Sequence, residues 1–143
     1  MHSHTLDSGN RATVLAAISG ERWIVACLCA AWCGTCGSYR ATFDTLAARH
    51  PDMDFVWIDI EDQAEVVGEL DIDNFPTLLI QRDEVVAFFG TVLPDAALAE
   101  RLIGAQRGQT DAELLSAARS TAERRQWQQA CNLRHLLRAA GPG

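Results

Sequence analysis

The residues best suited to chemistry in this chain are two cysteines three apart, in Trp32-Cys33-Gly34-Thr35-Cys36. They follow the apolar run from Trp23 to Ala31 and precede the helix-like segment Tyr39-Arg40-Ala41-Thr42-Phe43. At a strand-to-helix junction, thiols at this spacing can share a disulfide, and the first lies where a helix N-terminus stabilises a thiolate. The chemistry this allows is dithiol–disulfide exchange. Cys27 and Cys29 are two apart on the preceding apolar run, so both face the same side of a strand. They read as buried small hydrophobes, as free cysteines commonly are. An exchange between Cys27 or Cys29 and the Cys33/Cys36 pair stays open. Joined with that pair they spell C-x-C-x3-C-x2-C, whose thiolates could serve zinc, but adjacent in-strand ligands are an unusual arrangement and no metal is expected. Cys131 stands alone and reads as packed.

No histidine is placed to make a Cys–His protease pair with Cys33. His2 and His4 lie in a polar N-terminal stretch expected to be disordered. His50 reads as a helix-end residue and His135 as a helix-surface one. Trp23 and Trp57 read as core.

Elements to position the pair follow from the pattern. Residues 12–19 read as a short helix stopped by Gly20, and 22–29 as a buried strand, being short, apolar and partly β-branched. Helical spacing of Tyr39, Phe43, Leu46 and Ala47 predicts a helix over 36–50, ended by Pro51. A second strand spans 54–60 and a short acidic helix 63–70. Strands at 77–81 and 85–89 flank Arg82-Asp83-Glu84 as a hairpin, closed by Gly90, and Pro94 opens a helix to about residue 106. The order α-β-α-β-α-β-β-α implies an α/β fold with a mixed four- or five-stranded sheet and helices on both faces.

With these elements in place, the chain resembles the thioredoxin family over roughly residues 12–107. The resemblance rests on Trp32-Cys33-Gly34-Thr35-Cys36, Phe75-Pro76-Thr77 and Gly90. It implies a thioredoxin fold and a thiol–disulfide oxidoreductase, most simply a reductase of protein disulfides. Cys33 would be the exposed nucleophile and Cys36 the more buried resolver, the two forming the redox-active disulfide. Pro76 would be cis, turning Phe75 toward Cys33 so that an extended substrate adds like a strand. Trp32 would cover the motif, with Phe75, Pro76 and Gly90 completing the substrate surface, while Gly34 and Thr35 form the active-site turn. No cofactor is implied beyond that disulfide. The partners implied are protein disulfides and a reductase or other dithiol donor.

The chain departs from the family's usual pattern in ways that bear on tuning. Thr35 stands where proline is usual, which leaves the redox potential open. Cys27 stands where the family places a buried aspartate, and Trp57 where it places the partnering lysine. The proton acceptor credited with helping Cys36 deprotonate is thereby removed, with Asp59 a nearby substitute. Gly37 replaces a common lysine.

Beyond residue 109 the charge balance changes. Residues 1–109 hold sixteen acids and seven arginines, a net of −9, whereas 110–143 hold three acids and five arginines, a net of +2. This predicts a domain over 1–109 and a C-terminal helical extension over 110–143. Thr110-Asp111-Ala112-Glu113 is a capping box, and Ser120-Thr121-Ala122-Glu123 predicts a second start. The apolar residues Trp127, Ala130, Cys131, Leu133, Leu136 and Leu137 would dock on the domain, on a second copy in a homodimer, or on another partner, with Gly141-Pro142-Gly143 as the stop. A second reading follows: a binding or co-chaperone module that uses this tail to hold partners.

The net charge of −7 argues against an electrostatic nucleic-acid binder. Residues 23–32 are too short to span a bilayer, so no membrane role is expected. The polar start lacks the charged-then-apolar pattern of a secretory signal, which makes the cytoplasm the expected compartment. In that reducing setting a C-x-x-C is catalytic more often than structural.

Overall fold

A computed structural model describes residues 3–141. The expectations for His2 and for Pro142 and Gly143 therefore lie outside the described residues. The elements run β1 (Ser3–Thr5), α1 (Arg11–Ala17), β2 (Trp23–Cys29), α2 (Gly34–Arg49), β3 (Asp54–Asp59), α3 (Ala64–Val67), β4 (Thr77–Arg82), β5 (Val85–Thr91), α4 (Ala96–Arg107), α5 (Asp111–Ala118), α6 (Ala122–Ala130) and α7 (Leu133–Ala140). The sheet has five strands in the order β1-β3-β2-β4-β5. β1, β3 and β2 are parallel, while β4 runs antiparallel to both β2 and β5.

β1 corrects the reading of His4 as disordered. A three-residue polar strand gives almost no signal of its own, and pairing of His4 with Val56 is what orders it. β2 is central and all seven of its residues are buried. Its side chains alternate between two cores, as a period of two requires. Trp23, Val25, Cys27 and Cys29 pack with Tyr39, Phe43 and Leu46 of α2 and with Ala99 and Ile103 of α4. Ile24, Ala26 and Leu28 pack on the opposite face with Val14 and Ile18 from the α1 region, Val66 and Val67 of α3, and Leu133 and Leu137 of α7.

Local chemistry sets the ends. The hairpin between β4 and β5 needs only Asp83 and Glu84, because Arg82 already pairs with Val85. Asp83 takes φ 52°, a conformation that aspartate tolerates in turns. Asp95, not Pro94, caps α4, its carboxylate accepting from the Ala97 and Leu98 amides. The acidic helix is shorter than expected, four residues from Ala64.

The tail forms three helices, one more than the two capping signals predict. Thr110 and Glu113 make the reciprocal capping box of α5, and the Thr121 hydroxyl caps α6. The third cap is Asn132, whose side chain accepts from the His135 amide and splits the expected apolar helix in two. Asn132 also answers a need in the sheet. Gln81, fully buried on β4, donates through Nε2 to Asn132 Oδ1 (2.8 Å) and accepts from the Leu133 amide (2.8 Å). Gln128 of α6 accepts from Val86 N–H and donates to Val86 C=O, both at 2.8 Å, so it mimics a neighbouring strand along β5. Arg134, almost fully buried, donates to the carbonyls of Ile18 and Gly20 and to Glu84. The tail's apolar face is therefore covered by the domain itself. Among the described residues no helix is long and apolar enough to cross a membrane.

Candidate active site

Cys33 is the N-cap of α2, in extended conformation, and its side chain makes no capping hydrogen bond. The first turn of a helix leaves its amides without intrahelical partners, so those of Gly34, Thr35 and Cys36 open toward this end. Cys33 is partly exposed and free, and it packs against the core cluster that contains Cys27, Cys29, Cys36 and Tyr39. Its amide donates to Ala30 C=O at 3.0 Å, which folds the β2–α2 loop back on itself.

Around it stand the other residues of the expected surface. Trp32 is 71% exposed. Its ring meets that of Phe75 edge-on, with centroids 5.7 Å apart. The Phe75–Pro76 bond is cis. Pro76 C=O accepts from Val92 N–H at 3.0 Å, tying the loop to the end of β5. Gly90 pairs with Leu78 in the β4–β5 ladder, and a Cβ there would stand 3.2 Å from the Phe88 ring. A cleft of about 500 Å³ opens beside the start of α2, lined by Gly34, Thr35, Ser38, Tyr39, Thr42 and Pro94. The structure thus brings Trp32, Cys33, Phe75 and Pro76 to one end of the sheet, with Gly34 and Thr35 in the adjoining turn.

The disulfide is different from the one expected. Cys36 is joined to Cys29, not to Cys33. Cys29 ends β2 on the face that α2 covers, and Cys36 is the first buried residue of that helix. Their Cα atoms are 5.7 Å apart, within the usual reach of a disulfide. Cys29 is buried as expected but is not a free thiol, and the expected Cys33–Cys36 pairing is corrected to Cys29–Cys36. Strand alternation had put it on the right face, but only the seating of α2 on that face brings Cys36 to it.

Cys27 lies 3.8 Å from Cys29 through their sulfurs. It is fully buried, and burial pushes its thiol far above the ordinary range, with Arg40 opposing weakly. Cys27 and Trp57 are partners across the β2–β3 ladder, so the two departures from the family's acid–lysine pair adjoin each other. The Arg40 guanidinium stacks 4.9 Å over Trp57 and also donates to Thr5. Tyr39 is pushed up to about 12 by burial, with Cys27 and Asp95 adding. Asp59 is committed elsewhere. One carboxylate oxygen accepts from Ala31 N–H, just before Trp32, and the other from the amides of Glu61 and Asp62. It holds the loop that carries Cys33.

Cys131 is buried among apolar groups and burial raises its thiol to about 11. His50 caps the C-terminal end of α2, with Nε2 2.7 Å from Glu100, and His135 is exposed. The residue missed from sequence is Gln81. For Gln81 the signal was there: an amide that directly follows the apolar run Leu78-Leu79-Ile80 on a central strand needs a buried partner.

Comparison with known proteins bears on the family and the fold. A family model described as Thioredoxin matches residues 6–102, about two thirds of the chain. The chain belongs to the thioredoxin family. Putative thioredoxin 2 of Streptomyces coelicolor is 37% identical over 79 residues, which cover 54% of this chain and 58% of that protein. The chain thus spans less than two thirds of that relative's length. Among solved structures, a Nicotiana alata thioredoxin superposes with a TM-score of 0.63 at 23% identity, over 73% of this chain and 92% of its own. Thioredoxin f2, solved in complex with ferredoxin:thioredoxin reductase, gives 0.63 at 23%, over 75% and 96%. These likenesses show the thioredoxin fold: a five-stranded mixed sheet flanked by helices, here followed by the helices of the tail.

Proposed function

We propose that this protein is a thiol–disulfide oxidoreductase that reduces disulfides in proteins, with Cys33 as the attacking thiol and Cys36 as the resolving one. The observation that carries this is the free, partly exposed Cys33 at the N-cap of α2, beside Trp32, Phe75 and the cis peptide bond of Pro76. The Cys33 thiolate attacks one sulfur of the substrate disulfide, and the other leaves as a thiolate that takes up a proton. The mixed disulfide then breaks when the Cys36 thiolate attacks Cys33, releasing the second substrate thiol. The protein is left oxidised by two electrons and an external dithiol returns them.

The edge-on Trp32–Phe75 pair offers an apolar platform, and the Phe75 backbone a place for an extended substrate to add. Membership of the family supports the activity, and the complex of thioredoxin f2 with its reductase supports a protein reductase as the dithiol donor. Three free cysteines of five suit a reducing compartment, which supports the cytoplasm. The segment 110–143 serves in this reading as a covering layer on the 1–109 domain.

Turbidity of insulin reduced by dithiothreitol tests the proposal. Wild-type protein is expected to accelerate precipitation and Cys33→Ser to return the rate to that of dithiothreitol alone. A Cys33→Ser variant as fast as wild type would overturn it.

A further inference from the structure

Cys36 of α2 is bonded to Cys29 of β2, and Cys33 stands three residues before it as the N-cap of the same helix. Thiols three apart at a helix start can share a disulfide, so the proposed site pairs Cys36 with Cys33, whereas here Cys36 is bonded to Cys29 at the end of β2. Cys29 and Cys36 are 1% and 2% exposed, whereas Cys33 stays partly open and free. With Cys29 in a disulfide, the hydrogen at the 3.8 Å Cys27–Cys29 contact belongs to Cys27. Burial holds Cys27 as a neutral thiol, so its S–H can donate to the Cys29 sulfur.

We propose that Cys29 is a second resolving thiol, which moves the oxidation from the surface Cys33–Cys36 bond to the buried Cys29–Cys36 bond and returns Cys33 as a free thiol. The inference rests on the reading of Cys33 and Cys36 given above. The step is an isomerisation. The Cys29 thiolate attacks Cys36 Sγ, the Cys33–Cys36 bond breaks, the Cys29–Cys36 bond forms, and Cys33 leaves as a thiolate that takes up the proton Cys29 gave up. No electrons enter or leave. The oxidised protein thereby keeps an accessible nucleophile. It can still form a mixed disulfide with a substrate, while its stored oxidising equivalent is shielded from external dithiols until Cys33 attacks Cys36 and reverses the step.

Stepwise alkylation tests this on the full-length protein. After oxidation with one equivalent of diamide, a first maleimide is added to the native protein, a second after unfolding, and a third after reduction. Cleavage after Arg22 and Arg40 releases one peptide that carries Cys27, Cys29, Cys33 and Cys36, and fragmentation mass spectra assign each label. In most molecules the first label is expected on Cys33, the second on Cys27, and the third on Cys29 and Cys36. Oxidised Cys33→Ser, which keeps both proposed partners, is expected still to hide Cys29 and Cys36 until reduction. The inference is overturned if the third label falls on Cys33 and Cys36 with Cys29 free, or if oxidised Cys33→Ser keeps all its thiols. Insulin reduction by the wild type, abolished in Cys33→Ser, alongside that labelling would leave the oxidoreductase standing and remove only Cys29. Insulin reduction retained in Cys33→Ser would instead remove the oxidoreductase reading, and the relay that rests on it.

Discussion

Leu133 offers a quantitative test of whether the C-terminal helices belong to the domain. It opens α7, is fully buried, and packs in the core cluster with Ile18, Ile24 and Leu28, more than a hundred residues away in sequence. Leu133→Ala removes three carbons. At about 0.8 kcal/mol per buried carbon group the lost transfer energy is roughly 2.4 kcal/mol. A residual cavity of roughly 30 Å³ adds about 0.7 kcal/mol at ~24 cal/mol per Å³, for a total near 3 kcal/mol. Urea unfolding followed by circular dichroism and tryptophan fluorescence reads this directly, because Trp23, Trp32 and Trp57 report on the domain and Trp127 on the tail. With a slope of about 2 kcal/mol per molar, the midpoint is expected to fall by roughly 1.5 M in one transition. Leu115→Ala, at a site 46% exposed, is the control and should change stability by less than about 0.5 kcal/mol. Leu133→Ala matching wild type, or a biphasic melt in which the tail unfolds first, would refute the view that the tail completes the second core.

Two further substitutions probe the tuning of the site and the anchoring of the tail. Cys27→Asp puts a carboxylate in a fully buried position opposite Trp57 and should cost roughly 3 kcal/mol or more at neutral pH. Its folded pKa would be raised, so the loss should shrink as pH falls through that value, and the variant's resolving step, followed by single-turnover kinetics, should be faster than wild type; an unchanged step would refute the argument from the missing acid. Glu84→Gln tests the ion cluster that clips α7 to the β4–β5 hairpin. Burial raises the Glu84 carboxyl, but hydrogen bonds from Arg138, Arg134 and Asn132 outweigh it and hold it below its ordinary value. A depressed carboxyl stabilises the fold above its unfolded pKa and loses that contribution as pH falls through the folded one. The variant should therefore be less stable at pH 7, by at most about 1 kcal/mol because the side chain is half exposed, and the gap should close below about pH 4. Thermal melts across that range check it, and a gap independent of pH would count against the cluster.

The order of the elements was legible because each carries a local signal. β2 is short, apolar and partly β-branched, α2 has its apolar residues at helical spacing, and the capping box at Thr110 writes the start of α5 into four residues. The placement of the candidate site was legible for the same reason: a cysteine at the N-cap, a second one turn on, and the Phe75-Pro76 loop are matters of type and spacing. β1 was not, since three polar residues become a strand only when β3 lies beside them. Nor was the third tail helix, because Asn132 acts as a cap where Gln81 holds it across a separation of 51 residues.

The amino-acid sequence by itself determined that this is a thioredoxin-family chain with a cysteine at a helix start and a second cysteine three residues on. Alternation along β2 even placed Cys27 and Cys29 on one face. What only the tertiary structure decided is which sulfur meets Cys36. Strand and helix periodicities say where each side chain points within its own element. They do not say how far the helix sits along the sheet, and that seating, set by the packing of Tyr39, Phe43 and Leu46 on β2, brings Cys36 to Cys29.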